Sequence, residues 1–244
     1  MPMSYIFREH IKQSLAVIVF LITLTACTSE SYDAGDGPNS YLTADLVLLH
    51  TSQDKSVRSA LLDDGTTLQF SNPFAQDWLT RPDSVYRALL YYDKTVAASD
   101  AAASNPTATS VVRARSVRPV SVLRPVEAED METLRTDPVG FESIWLSKNK
   151  SYINLSLLLK SGKTEADDAL HALGIVSHGT TTGADRRRTL HLTLYHDQGG
   201  VPAYYTVQQY VSIPTQLLEE ADTVELTLNT YNGKKVMKVA VSNL

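Results

Sequence analysis

Six histidines in a chain of 244 residues are the first place to look for a metal or a catalytic base. His50 closes an early apolar segment, and His171, His178, His191 and His196 crowd into the second half. In a strand starting at Leu190, His191, Thr193 and Tyr195 share one face while His196 takes the other, so His191 and His196 would not share a metal. Asp167 and His171 stand at i,i+4 on a predicted helix, a spacing that suits zinc but also an ordinary surface ion pair, which is commoner. The stretch SHGTTTGADRRR offers Gly179, Gly183 and the hydroxyls of Thr180 to Thr182 to a phosphate. Ala184-Asp185 stand where Lys-Ser/Thr should follow the second glycine, and Arg186 to Arg188 read as a solvated run. The carboxylate pairs Asp63/Asp64 and Asp167/Asp168 fall in a turn and on a helix, where exposure accounts for them without acid–base work. G-x-S-x-G and H-E-x-x-H are both missing from the sequence. The expectation is a chain with no catalytic residue, no metal and no cofactor.

Cys27, the one cysteine, carries the clearest chemistry. Residues 1–26 have the form of a secretory signal: a polar start with Arg8 and Lys12, the apolar run SLAVIVFLITLTA, then small residues. That run is too short for the roughly 20 residues that span a bilayer. Leu24-Thr25-Ala26-Cys27 resembles the lipobox of bacterial lipoproteins, in which the cysteine thiol takes a diacylglyceryl group and becomes the acylated first residue. Ordinary signal cleavage at an A-x-A-like site is the competing reading. With Cys27 acylated, the mature chain is membrane-anchored rather than spanning, and its domains hold no thiol for a disulfide, a zinc site or a nucleophile. A net charge of −5 disfavours nucleic acid as a partner, since phosphate binding needs a basic face.

The elements that would position any site read as strands. Residues 27–40 are a Ser/Gly/Asp-rich tether that cannot bury enough surface to order itself. Its Glu30, Asp33 and Asp36 resemble the acidic signal that sends lipoproteins of Bacteroidota to the outer face of the outer membrane; a solvated linker accounts for them equally. From 41 to 126, YLTADLVLLH, VRSALL, TTLQF, VYRALLYY and VVRARSVRPVSVL alternate with turn chemistry and suit a small barrel, interrupted by a low-complexity Ala/Ser/Thr loop at 97–110. A two-residue loop at Asp64-Gly65 places Leu61 opposite Leu68. EAEDMETLRTDP, 127–138, is a charged, weakly helical linker. In 139–244, strands flank the Lys148-Asn149-Lys150 turn, TEADDALHALG forms one short helix capped by Thr164 and ended by Gly174, and further hairpins complete a sandwich. Treating Asn232-Gly233 as the last hairpin's loop sets Leu228 opposite Met237 and Leu226 opposite Val239.

The 12 tyrosines include the doublets Tyr91-Tyr92 and Tyr204-Tyr205 and the nearby Tyr210. Adjacent strand residues face opposite ways, so one of each doublet lies outside, where aromatic hydroxyls suit protein or glycan contacts; the preference of strands for Tyr explains the same residues. The lipobox, SALLDDGTTLQF, VYRALLYY, VRPVSVL, ESIWLSKNKSYINLSLLLK and DTVELTLNTYNGKKVMKVAV together resemble the NigD-like lipoproteins of Bacteroidota. The resemblance implies an all-β chain, an OB-like barrel followed by a β-sandwich, and a cell-envelope lipoprotein with no catalytic residues. The leading expectation is binding or scaffolding of an envelope protein or glycan through one of the β domains, by analogy with OB-like barrels that hold oligomeric ligands on a sheet face. A bacteriocin immunity or secretion accessory role is the alternative, and a surface hydrolase the third reading.

Overall fold

The computed structural model describes residues 42–93, 110–163, 170–218 and 221–241. Cys27, the tether, Thr164, Asp167, Asp168 and all but the end of the low-complexity loop lie outside them. Strands β1 (Leu42–Thr51), β2 (Val57–Leu62), β3 (Thr67–Phe74), β4 (Val85–Asp93) and β5 (Ser110–Pro119) close a barrel in the order β1-β2-β3-β5-β4. Only β3 and β5 pair parallel within it, the arrangement of an OB-like barrel. Val47, Leu49, Ala88, Leu90 and Tyr92 fill its interior with Val57, Leu68, Phe70 and Val112. The runs DLVLL and ALLYY do not alternate with polar residues because both faces of β1 and β4 are covered. Leu46 pairs with Leu89 on the outer face, where both are buried with Val120 against Trp145 and Tyr210.

Two local registers differ from expectation. Leu62 bonds to the Thr66 carbonyl, Ala60 pairs with Leu68 and Leu61 with Thr67, so the β2–β3 loop has three residues, with Gly65 at φ +90. A three-residue loop ending in a left-handed glycine shifts the pairing by one, which turns Leu61 away from Leu68. In the last hairpin, β13 (Thr223–Thr230) and β14 (Gly233–Ala240) pair Leu226 with Met237 and Val224 with Val239. Tyr231 and Asn232 form that loop, drawn tight by the Thr230 hydroxyl, which donates to the Gly233 carbonyl and accepts from the Asn232 N–H. This shift of two residues leaves each side chain on its expected face.

After β5 the chain gives one short strand to each sheet of a sandwich. β6 (Ser121–Val122) runs parallel to β12 (Tyr205–Pro214), and β7 (Pro125–Glu127) parallel to β10 (Ala172–Thr182). The sheets are β14-β13-β11-β10-β7 and β6-β12-β9-β8, with β8 at Gly140–Leu146, β9 at Tyr152–Ser161 and β11 at Arg188–Asp197. Period-two patterns meet in the middle: Ile153, Leu155, Leu157 and Leu159 face Leu190, Leu192, Leu194, Val224, Leu226 and Leu228. Each fully buried leucine contributes about 1.5–3 kcal/mol. The segment 127–138 makes one 3-10 turn at Ala128–Asp130, then is held by Asp137 N–H to the His196 carbonyl and Asn229 Nδ2 to the Thr136 carbonyl.

The helix expected over 164–174 is corrected at its described end. Ala172, Leu173 and Gly174 open β10, where pairing with Tyr195, His196 and Asp197 outweighs local helix propensity. His171 therefore lies beside a sheet and stacks on His196, with ring centroids 5.2 Å apart. The Asp137 carbonyl accepts from His196 Nδ1 at 2.9 Å, which leaves His196 Nε2 to accept from His171 Nδ1 at 3.0 Å. Burial, then the neighbouring His196, holds the His171 imidazole below its ordinary range.

A buried polar centre joins barrel to sandwich within one compact unit. The Arg87 side chain, 1% exposed, reaches Asp63 with both terminal nitrogens, at 2.6 and 2.7 Å. Its Nη2 also donates to Asn154 Oδ1 on β9 and its Nε to Ser212 Oγ on β12, at 3.0 and 3.1 Å. Asn154 Nδ2 returns a bond to Asp63 Oδ2, Ser212 Oγ donates to Asn154 Oδ1, and the guanidinium lies 4.3 Å over the Tyr152 ring. Each side of the boundary thus supplies what the other side's buried polar groups lack.

Replacing Arg87 with Met should cost about 3–5 kcal/mol in urea unfolding, because Asp63, Asn154 and Ser212 lose their shared donor. Arg87→Lys should rescue little, since an ammonium cannot form the fork. A depressed imidazole contributes stability that is present above its unfolded value of 6.5 and lost as pH falls through the folded one. His171→Gln should therefore flatten the fall in urea midpoint between pH 7 and pH 5.

Candidate ligand groove between barrel and sandwich

The side chains that could meet a ligand sit where the Arg87 centre opens to solvent. A groove of about 360 Å³ runs between β1, the β2–β3 loop and β4 on one side and β8, its following turn and β12 on the other. Leu46 and Leu89 form its floor, Tyr91, Trp145 and Tyr210 its walls, and Asp64 and Lys148 its polar rim. Tyr91 arrives there by strand parity: on β4 its neighbour Tyr92 points into the barrel and is buried, so Tyr91 points out. Trp145 and Tyr210 meet edge to face, 6.4 Å apart at 82°. That contact fixes both rings without stacking them on each other.

Asp45 shares the inner face of β1 with Val47 and Leu49 and accepts from the Tyr92 hydroxyl at 2.8 Å through Oδ2. Burial, then that hydrogen bond to Asp45, pushes the Tyr92 phenol above its ordinary range. Asp64 Oδ1 accepts from the Thr66 N–H at 2.9 Å, which holds its carboxyl below the usual range, with the Lys148 charge adding a smaller effect. The Lys148-Asn149-Lys150 turn docks on the barrel through the Asn149 N–H, 2.7 Å from the Asp63 carbonyl. Groove walls from two domains are thus held by main-chain and side-chain bonds to one another. The arrangement can hold a ligand by aromatic contact and by a carboxylate acceptor.

The histidines lie elsewhere. His196 is buried at 1% exposure and His191 is on the opposite face of β11. His178 Nε2 pairs with Thr193 Oγ1 at 2.9 Å and His191 Nε2 with Thr181 Oγ1 at 2.8 Å. His191 Nδ1 also meets Glu225, which bridges to Lys238 at 3.1 Å, so these groups form a polar row across three strands. Among the described residues, no group of three or more His, Cys, Asp or Glu could hold a metal. SHGTTTGADRRR completes β10 and the turn into β11, with Asp185 Oδ1 accepting the Arg187 N–H at 3.1 Å where a phosphate would need donors. Tyr204 and Tyr205 are both exposed, because Tyr204 precedes the strand that would have turned one of them inward.

Local sequence places Asp63 in a solvated turn and does not single out Arg87 or Trp145. One signal was present: a single arginine inside the apolar strand VYRALLYY needs a buried partner. The identity of that partner depends on contacts 24, 67 and 125 residues away along the chain.

Residues 122–241 match the model of the NigD-like C-terminal beta sandwich domain. A NigD-like immunity protein from Bacteroides caccae superposes with a TM-score of 0.60 at 22% identity, covering 81% of this chain and 91% of that one. A protein described as a candidate lipoprotein from Bacteroides fragilis gives 0.58 at 14% identity, over 83% and 99% of the two chains. A DUF1344 protein of unknown function from Bacteroides vulgatus gives 0.57 at 15% identity, over 82% and 92%. At these identities the likeness concerns the fold. Comparison with curated proteins finds no match. Among the described residues no helix is long and apolar enough to cross a membrane. Residues 122–241 are thus a NigD-like C-terminal beta sandwich domain, preceded in this chain by a closed five-stranded barrel.

Proposed function

We propose that the chain is a non-catalytic lipoprotein of the cell envelope, anchored through Cys27, that binds another envelope component in the groove between barrel and sandwich. The observation that carries the reading is the groove itself: three aromatic rings from two domains line an open cleft whose walls are fixed to one another. The anchor rests on the lipobox-like Leu24-Thr25-Ala26-Cys27, and the Bacteroides fragilis neighbour described as a candidate lipoprotein supports it. Outer-membrane placement, facing the periplasm or the surface, rests on the acidic residues after Cys27. Three acyl chains would hold the chain far more firmly than one, at about 0.8 kcal/mol per buried methylene. Neither a cofactor nor nucleic acid has a part in this reading. A role as a bacteriocin immunity or secretion accessory is the second reading, favoured by the Bacteroides caccae neighbour described as an immunity protein.

Cys27→Ser should move the protein from the membrane fraction to the soluble fraction after cell disruption; continued tight association would remove the basis for the anchor. The binding role is tested by affinity capture from intact cells with the wild-type chain and with Trp145→Ala in parallel. A component enriched by the first and lost with the second is expected. Equal recovery by both, or no reproducible component, would overturn binding in the groove.

A further inference from the structure

We propose that the groove takes an uncharged saccharide. The inference rests on the binding reading above and adds the chemical class of the ligand. Three features of the lining point to it.

Backbone recognition is unavailable on the barrel side. β1 and β4 are interior to a closed barrel and bond to neighbours on both edges, so a peptide cannot add to them as a strand. Recognition there falls to side chains. Those side chains are aromatic rings and a hydrogen-bond acceptor: Tyr91, Trp145 and Tyr210 with the carboxylate of Asp64. A sugar ring presents a C–H face that packs on an aromatic plane and hydroxyl donors at its rim that suit carboxylate oxygens.

Charge then separates saccharides from other ligands. Asp63 is neutralised by Arg87, and Lys148 stands near Asp64, so the rim lacks the excess of either sign that a strongly cationic peptide or a polyanion would require. The Asp64 carboxylate opposes phosphate and uronate groups directly. Its Oδ1 accepts from the Thr66 N–H, which holds the carboxylate in place at the rim. The face used, β1 and β4 with the β2–β3 loop, is not the strand 2–3 face by which OB barrels commonly hold oligomers. The sandwich supplies two of the three rings, so the barrel alone would not form the site.

The test is binding of the purified full-length protein in detergent to an array of neutral gluco-, manno-, xylo- and galacto-oligosaccharides, with uronate oligosaccharides, oligolysine and single-stranded DNA as comparison probes. Binding to one neutral series is expected. Trp145→Ala and Tyr91→Ala should each weaken it by about tenfold or more. Asp64→Asn should weaken it by a smaller factor, and Tyr204→Ala, outside the groove, should leave it unchanged. Trp145→Phe guards against a folding defect: an unchanged melting curve with reduced binding supports the assignment. In Trp78→Phe protein, the saccharide that binds should shift Trp145 fluorescence. Preference for oligolysine, uronates or DNA, or saccharide binding indifferent to Trp145 and Tyr91, would overturn the proposal. No saccharide binding, with a component still captured from cells in a Trp145-dependent way, would sink the saccharide inference and leave groove binding standing. Loss of both would sink both.

Discussion

An arginine cannot stay charged in a protein interior without partners, and Arg87 is almost fully withdrawn from water at the boundary of two β domains. Its fork is answered by Asp63 of the barrel, its remaining donors by Asn154 and Ser212 of the sandwich, and its face by the Tyr152 ring. Asn154 and Ser212 are themselves buried within a sheet whose other residues are largely apolar, so they depend on Arg87 as much as it depends on them. Each domain pairs part of its own polar groups, Arg87 with Asp63 and Ser212 with Asn154, and the remaining donors and acceptors are met only across the boundary. The relative placement of barrel and sandwich follows from that mutual requirement, with Leu46, Leu89 and Val120 closing the apolar remainder.

The groove follows in turn. Once the Asp63 loop and the Lys148-Asn149-Lys150 turn are joined through the Asn149 N–H, the outer faces of β1 and β4 stand opposite β8 and β12. Apolar contact closes the deep part, and the aromatic rings at the edge stay partly buried. Polar residues elsewhere on the sandwich are taken up by one another: His191, Glu225 and Lys238 across three strands, His171 and His196 with the Asp137 carbonyl. These pairings explain histidines that looked like a resource for chemistry.

Much of the architecture was legible because burial on one face leaves a period-two trace. The residues of β9, β11 and β13 show it, and the last hairpin kept its faces even though its loop lies at Tyr231-Asn232 rather than Asn232-Gly233. The Asp64-Gly65 loop shows the limit of such reading, since one added loop residue reverses the pairing and local sequence tolerates both lengths. The TEADDALHALG segment has caps at helical spacing, yet Ala172 to Gly174 are strand because β11 offers a full set of partners. The groove was the least legible part. Strand parity puts one tyrosine of the Tyr91-Tyr92 doublet outside without saying which, and Asp63, Arg87, Trp145 and Tyr210 come together only through the packing of two domains.

The central claim is that the Arg87 centre makes barrel and sandwich one cooperative unit. The two tryptophans report the halves separately: Trp78 packs on Tyr86 in the barrel and Trp145 on Tyr210 in the sandwich. Urea unfolding followed by fluorescence in Trp145→Phe and Trp78→Phe proteins, each checked against its own circular dichroism, reads the two halves in turn. The account predicts that, within each variant, the fluorescence transition coincides with the loss of total β-structure. A barrel or sandwich transition that separates from the circular dichroism curve, leaving the other half folded, would contradict it.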